Sequence, residues 1–355
     1  MKKILLSILG VAVLAVATCG IVLTRDGELK TPEGNGTIAL DAGRFEAFPL
    51  PDYAAKFVGD DYKSYLVEVE SGIKVHVLEV GSGYPVYMQH GLPTTGFLYR
   101  KVADALPRDQ FRIIMPTIVG LGFSTKVPAS QHTLENHLRW MNAALNKLEL
   151  QDVIFIGHDW GGPIGMGALA RSPELLKGAV ILNTVLDSAK EERDLPTPLV
   201  IANTPVAGEI LFEGLVSIFG QLPSFQADPA SMPDDVIQLY EKPVRDSGNA
   251  KGLLAMMRMS ADGPDHPSSK QYRELEEYYQ GRAFPTEIVW GMQDSILATR
   301  LVDMKENFPD AAVTETQGGH FLQEETPEAI AAAVQRVYTQ IQISTNEQDG
   351  TETAK

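Results

Sequence analysis

The pattern of apolar and polar residues alternates along much of the chain between strand-like and helical segments. The apolar run at residues 153–156 predicts a buried strand, and small and apolar residues at helical spacing predict a helix over 161–170. The pattern also predicts a hairpin over 65–80, strands over 85–89, 111–115, 178–183, 287–290 and 313–315, and helices over 99–106, 133–148 and 327–343. Strands that alternate with helices indicate an α/β protein with a mostly parallel sheet and helices on both faces.

This alternation stops between residues 186 and 284, where prolines, methionines and short helical patterns predict a helical cap inserted before the last strands. Such a cap would lie as a lid over the carboxyl ends of the strands, where ligands bind in sheets of this kind. The sequence thus predicts a linker over 24–42, the two core segments 43–185 and 285–343, and a frayed polar tail over 344–355.

The first 23 residues have the composition of an export signal. Lys2 and Lys3 precede a mainly apolar run that ends at Leu23, and the residues at 15–17 fit a signal-peptidase site. A run of about 20 apolar residues would also span a bilayer as an uncleaved anchor. Lipidation at Cys19 is the third alternative. Each predicts a periplasmic or extracellular protein, with membrane attachment in the second and third.

Composition narrows the choice of partners. The chain of 355 residues is 44% hydrophobic and has a net charge of −16, with the acidic residues spread along it. This charge disfavours nucleic acid and anionic lipid as partners. With one cysteine and no histidine pairs at ligand spacing, neither an intrachain disulfide nor a metal site is expected. We expect no cofactor.

The strand at 153–156 leads into a G-x-D-x-G turn that contains Asp159. This is the layout of a nucleophile elbow, with aspartate where most such elbows carry serine. Its glycines permit a tight turn and a close approach of the following helix. The alternative role of Asp159 is that of a helix N-cap. A carboxylate nucleophile would displace a leaving group from a saturated carbon.

Two further residues complete a candidate triad in the order nucleophile, acid, histidine. Asp294 follows the strand at 287–290, and His320 lies in a glycine-rich loop after the last strand. The simpler alternatives are a capping aspartate and a surface histidine. In the triad, Asp294 would orient His320, which would activate a water to hydrolyse an ester of Asp159. The backbone N–H groups of Leu92 and Trp160 are the expected oxyanion donors.

Four motifs, at residues 90–94, 157–162, 290–294 and 319–325, resemble those of the haloalkane dehalogenases, a family of the α/β-hydrolase superfamily. The resemblance covers about 44–343 and implies an α/β-hydrolase fold that cleaves small apolar haloalkanes with water to alcohol and halide. It implies that the indole N–H of Trp160 binds the halide. The family's second halide donor is an asparagine at the position of Leu92 or a tryptophan of the cap. Leu92 cannot donate through its side chain, and Trp140 and Trp290 lie in predicted core elements.

The same triad is compatible with other reactions. Epoxide hydrolases share the arrangement of two aspartates and a histidine and use tyrosines of the cap. Tyr240 is the candidate here, although the sequence favours a packing role for it. Opening of a β-lactone is a related possibility. A hydrolase-fold protein that binds an apolar ligand without turnover is the alternative from another class, and the complete triad disfavours it.

Overall fold

The computed structural model describes residues 26–215 and 217–352, which contain one ten-stranded sheet. Its strands are β1 (Thr37–Leu40), β2 (Gly43–Ala47), β3 (Lys63–Glu70), β4 (Ile73–Gly81), β5 (Tyr84–Gln89), β6 (Phe111–Pro116), β7 (Val153–His158), β8 (Leu176–Leu182), β9 (Thr286–Gly291) and β10 (Ala312–Thr316). They are ordered β1-β2-β3-β4-β6-β5-β7-β8-β9-β10. The strands from β6 to β10 in that order are parallel, whereas β1 to β4 form an antiparallel extension.

The helices of the described residues belong to the core or to the cap. Those of the core are α1 (Asp52–Ala55), α2 (Arg100–Asp104), α3 (Leu134–Lys147), α4 (Gly161–Leu169), α9 (Leu301–Asn307), α10 (Leu322–Glu325) and α11 (Pro327–Glu352). Those of the cap are α5 (Thr197–Asn203), a π-helix (Glu209–Leu215), α6 (Asp234–Asp246), α7 (Lys251–Met257) and α8 (Ser269–Gln280). Short 3-10 helices, including Phe219–Phe225, connect them.

Helices cover both faces of the sheet. Gly178 of β8 faces Val337 of α11, whereas Phe155 of β7, whose register partner is Ala179, contacts Gly165 of α4. Because successive residues of a strand point to opposite faces, α4 and α11 lie on opposite sides. The predicted fold class, an α/β-hydrolase fold with a mostly parallel sheet and a helical cap, is therefore confirmed.

The structure differs from the sequence prediction at both ends. Residues 37–40, expected within a linker, pair with β2 as the first strand of the sheet. Asp41 and Ala42 form the turn that joins these strands, so residues 37–42 of the predicted linker belong to a hairpin. Helix α11 continues to Glu352 through the polar residues expected to be frayed.

The predicted signal peptide or anchor over 1–23 lies outside the described residues. Within residues 26–215 and 217–352, no helix is long and apolar enough to cross a membrane.

Candidate active site

Asp159 lies at the turn between β7 and α4, at the carboxyl edge of the sheet. Its φ of 50° is in the left-handed region, which is strained for a residue with a side chain but more accessible to aspartate than to most residues. The following helix approaches so closely that a Cβ at Gly161 would lie 2.0 Å from the carbonyl oxygen of Gln89. The glycines of the elbow are therefore required by packing.

Backbone donors converge on the Asp159 carboxylate. The N–H of Leu92 donates to Oδ1 at 2.7 Å, and the N–H of Trp160 also interacts with the carboxylate. These are the two groups predicted as oxyanion donors. A Cβ at Gly91 would lie 2.1 Å from Oδ1, so only glycine lets the Leu92 N–H reach the carboxylate.

His320 faces Asp159 and Asp294 with its two ring nitrogens. Nε2 is 3.8 Å from Oδ2 of Asp159, and Nδ1 is 2.9 Å from Oδ2 of Asp294. The structure thus brings together the three predicted triad residues from the ends of β7, β9 and β10. The buried carboxylate of Asp294 holds Nδ1 as the protonated nitrogen, which leaves Nε2 as the base.

Burial and charge shift the pKa values of all three groups. Burial raises the pKa of Asp159, against the effects of His320 and the two N–H groups. Burial opposes ionisation of Asp294, but His320 and hydrogen bonds hold its pKa at about 2. Burial lowers the pKa of His320, but the adjacent Asp294 outweighs it, so the net shift is upward. Asp294 therefore stays ionised and stabilises the imidazolium that forms during catalysis.

Two neighbours fix the acid and the base. The side-chain amide of Asn183, after β8, donates to Oδ2 of Asp294 at 2.7 Å. It also donates to the carbonyl oxygen of Gly291 at 3.0 Å and accepts from the N–H of Gly291 at 2.7 Å. The ring of His158 lies 4.8 Å from that of His320, and its Nε2 contacts the carbonyl oxygen of His320 at 2.8 Å. Asn183 therefore orients the acid, Asp294.

The sequence did not reveal that cap residues hold the His320 loop. The N–H of His320 donates to the carbonyl oxygen of Phe225 at 2.8 Å. The buried amide of Gln226 accepts from the N–H of Phe321 at 2.9 Å and donates to its carbonyl oxygen at 3.2 Å. A Cβ at Gly319 would lie 2.5 Å from the Phe225 carbonyl oxygen, so this loop and the cap are in direct backbone contact.

Trp160 offers an unused donor beside the nucleophile. Its side chain is 9% exposed, and no acceptor among the described residues binds its indole N–H. Trp290 lies inside β9 and donates to the carbonyl oxygen of Ala298 at 3.2 Å, and Trp140 is buried on α3. Leu92 contributes only an apolar side chain. Trp160 is therefore the tryptophan available for a leaving anion.

Tyr240 does not provide the cap donor predicted from the sequence. It is fully buried, and its hydroxyl donates to Oε1 of Glu324 at 3.2 Å. Glu324 also forms a two-point ion pair with Arg100, at 2.6 and 2.9 Å. The prediction is corrected accordingly: Tyr240 joins α6 of the cap to α10, because its hydroxyl is needed by a buried carboxylate.

Tyr272, on α8 of the cap, is a cap tyrosine whose pKa is affected by the Asp159 carboxylate. It is 6% exposed, and its hydroxyl makes no hydrogen bond to any described residue. Burial raises the pKa of Tyr272; the charge of Arg193 opposes this shift and the Asp159 carboxylate adds to it. Nothing in the sequence pattern marks this residue beyond its position at an apolar site of a cap helix.

A model of a protein family, described as the alpha/beta hydrolase fold, matches residues 84–327. The chain belongs to this family. It is an α/β-hydrolase enzyme with haloalkane dehalogenases among its relatives, as the sequence motifs predicted.

Two curated relatives differ in the reaction that their names state. The cis-3-alkyl-4-alkyloxetan-2-one decarboxylase of Shewanella oneidensis is 30% identical over 280 residues, 76% of this chain and 86% of the relative. Haloalkane dehalogenase 2 of Mycobacterium tuberculosis is 27% identical over 264 residues, 74% of this chain and 90% of the relative. The relatives thus include both a dehalogenase and an enzyme named for a β-lactone substrate.

Among solved structures, the haloalkane dehalogenase DatA of Agrobacterium tumefaciens is 25% identical, with a TM-score of 0.70. The match covers 82% of this chain and 100% of that chain. The epoxide hydrolase CorEH, at 20% identity and a TM-score of 0.63, covers 79% of this chain and 99% of that chain, and shares the fold.

Proposed function

We propose that the enzyme cleaves carbon–halogen bonds of small apolar haloalkanes through an ester of Asp159. The observation that carries this proposal is a carboxylate at the elbow that receives two backbone N–H groups and faces a histidine held by Asp294. A carboxylate is a poor choice for attack on a carbonyl, but it displaces a leaving group from saturated carbon in one step.

In the first step, an Asp159 oxygen forms a bond to the carbon, and the halide departs with the electron pair of the carbon–halogen bond. The indole N–H of Trp160 donates to the departing anion, since indole is a donor only. The Tyr272 hydroxyl is a candidate second donor from the cap. It would replace the side-chain donor that Leu92 lacks.

In the second step, Nε2 of His320 removes a proton from a water whose oxygen bonds to the carboxyl carbon of the ester. The negative charge develops on a carboxyl oxygen of Asp159, where the N–H groups of Leu92 and Trp160 stabilise it. Collapse breaks the ester, and the alkoxide takes the proton from His320. The products are the alcohol and a hydrogen halide, and the carboxylate of Asp159 is restored.

Halide release from a series of 1-bromoalkanes tests the proposal, with the Asp159→Asn variant as the control. In the His320→Phe variant, the first step should proceed and the second should stop. The mass of the protein should then rise by one alkyl group at Asp159. Background halide release over all chain lengths would rule out dehalogenation.

A second candidate is opening of a β-lactone, favoured by the free Tyr272 hydroxyl, the missing donor at Leu92 and the oxetanone decarboxylase relative. Asp159 would attack the saturated ring carbon, and the ring oxygen would leave as a carboxylate held by Trp160 and Tyr272. Loss of CO2 would pass the electron pair of the carbon–carboxylate bond into a C=C bond and return the ester electrons to Asp159. This route consumes no water.

The His320→Phe variant separates the two reactions. Because only the ester hydrolysis needs a base, the variant should stall on a bromoalkane but keep releasing alkene and CO2 from a cis-3,4-dialkyl β-lactone. An epoxide such as styrene oxide serves as the third substrate, since its opening gives a diol through the same ester and also stalls without His320.

A further inference from the structure

We propose that the cap tip, defined as residues 197–215 with α5 and the π-helix, lies on the surface of a lipid bilayer that the N-terminal apolar run enters. This docking is independent of the chemistry at Asp159. Its consequence, that an apolar substrate reaches the site from the lipid, rests on the proposed function.

The cap tip carries an exposed apolar patch. Seven large apolar side chains are exposed in the described part of the chain, and three of them, Val200, Val206 and Ile210, belong to the cap tip at 51%, 49% and 43% exposure. The N–H of Ile210 donates to the carbonyl oxygen of Val206 at 3.0 Å, so these two lie on one turn. Single exposed apolar residues are ordinary, but a group of them marks an interaction surface.

The cap tip also has few charged residues. Between Leu195 and Gln226 the sequence has only two charged residues, Glu209 and Glu213, in a chain that is 21% charged. Glu209 pairs with Arg258 at 2.9 Å. The net charge of −16 repels anionic headgroups, so the surface that fits is a bilayer of zwitterionic lipid.

The body of the protein is held close to the end of the N-terminal run. That run ends at Leu23, and Asp26 is already fixed, because its carboxylate accepts from the N–H and hydroxyl of Ser130 at 2.6 and 2.5 Å. Two residues separate them, so the fixed body begins within about 11 Å of the run. If the run spans a bilayer, the bilayer surface lies against this side of the protein.

The same side carries the cap tip. The side-chain amide of Asn249, just before α7, donates to the carbonyl oxygen of Glu28 at 2.6 Å. Arg258, just after α7, donates to the carbonyl oxygen of Ala202 at 2.7 Å. Helix α7 is about 10 Å long, so Glu28, near the point where the N-terminal run joins the body, and the cap tip are about one short helix apart. Leu29, a fourth exposed apolar residue at 46%, follows Glu28 directly.

The test uses the full chain in phosphatidylcholine vesicles. Two variants, Val206→Trp and Ile343→Trp, each add one tryptophan. Ile343 is a matched control: it is 53% exposed on α11, near Ile341, which packs at the start of β8 and therefore at the sheet edge opposite the cap. The native Trp140, Trp160 and Trp290 are buried. Brominated acyl chains should quench the added tryptophan at 206 severalfold more than that at 343.

Equal quenching at the two positions, or recovery of the mature chain in the supernatant with its N-terminus after Ala17, would overturn the proposal. So would a concentration-dependent dimer that shields the tryptophan at 206 without lipid, because a second copy would then be the occupant. The double variant Val206→Glu/Ile210→Glu should turn over a long-chain bromoalkane in vesicles severalfold more slowly than the unmodified protein. Its turnover of a short bromoalkane in water should be unchanged. Loss of both would count against docking, whereas no turnover even by the unmodified protein would refute only the proposed function.

Discussion

Gln226 links the cap to the catalytic histidine, and its replacement by leucine tests this link. In the structure its amide satisfies both backbone groups of Phe321, the residue after His320, and also donates to Ser231 at 3.0 Å. Gln226→Leu would leave the buried N–H of Phe321 without a partner, whereas the carbonyl oxygen of Phe321 would still accept from the N–H of Glu324 at 2.9 Å. One unpaired buried group of this kind costs about 1–3 kcal/mol, so we expect a loss of that size in the free energy of unfolding.

The kinetic effect should fall on one step. His320 acts only in the hydrolysis of the ester, and a displacement of about 1 Å can slow a reaction about 100-fold. We expect kcat for a bromoalkane to fall by about that factor, with KM falling too because the ester accumulates. Ester formation, followed as halide release in a single turnover, should change little, and mass spectrometry should detect the alkyl group on Asp159.

The control is Gln221→Leu, the same substitution at an exposed position of the adjacent 3-10 helix. It should leave both steps and the stability unchanged. The reasoning is refuted if Gln226→Leu slows ester formation and hydrolysis equally, since the effect would then be on the pocket as a whole. It is also refuted if hydrolysis keeps its normal rate in a variant of lowered stability.

Three further predictions concern the site itself. Burial raises the pKa of Asp159 above 3.8, so the ionised carboxylate lowers the folding stability at neutral pH. Asp159→Asn should be inactive but should melt at a higher temperature. This difference in melting temperature should shrink as the pH falls through the raised pKa and should be gone below 3.8, and an equal difference at every pH would contradict the prediction. The pKa of His320 is shifted upward, so kcat should fall on the acid side of the pH profile with a midpoint above pH 6.5. Asp294→Asn should move this midpoint to lower pH and reduce kcat by up to about 10⁴-fold. An unchanged midpoint would show that another group titrates. Leu92→Asn keeps the backbone N–H and adds an amide donor, so the KM for bromoalkanes should fall by up to about tenfold. An equal fall in the inhibition constant of a bulky apolar inhibitor would indicate a change of pocket shape instead.

Most of the sheet and the three candidate triad residues could be predicted from the sequence, although β1 was expected to be a linker. The runs at β7, β8 and β9 are predictable because a buried strand requires apolar residues within a few positions of one another, a local signal. The placement of Asp159, Asp294 and His320 after strands is equally local, and parallel strands bring their carboxyl ends to one edge. Three polar groups far apart in the chain could therefore be assigned to one site before any contact was known.

Which cap residues contact the His320 loop could be seen only in the folded structure. Tyr240 and Tyr272 both lie in helical patterns of the cap, but the hydroxyl of Tyr240 donates to Glu324, whereas the hydroxyl of Tyr272 has no hydrogen-bond partner among the described residues. The contact of Gln226 with Phe321 joins residues 95 positions apart. Such contacts depend on how the cap packs across the sheet edge, which is set by the combined burial of many side chains. No periodicity along the chain records that packing.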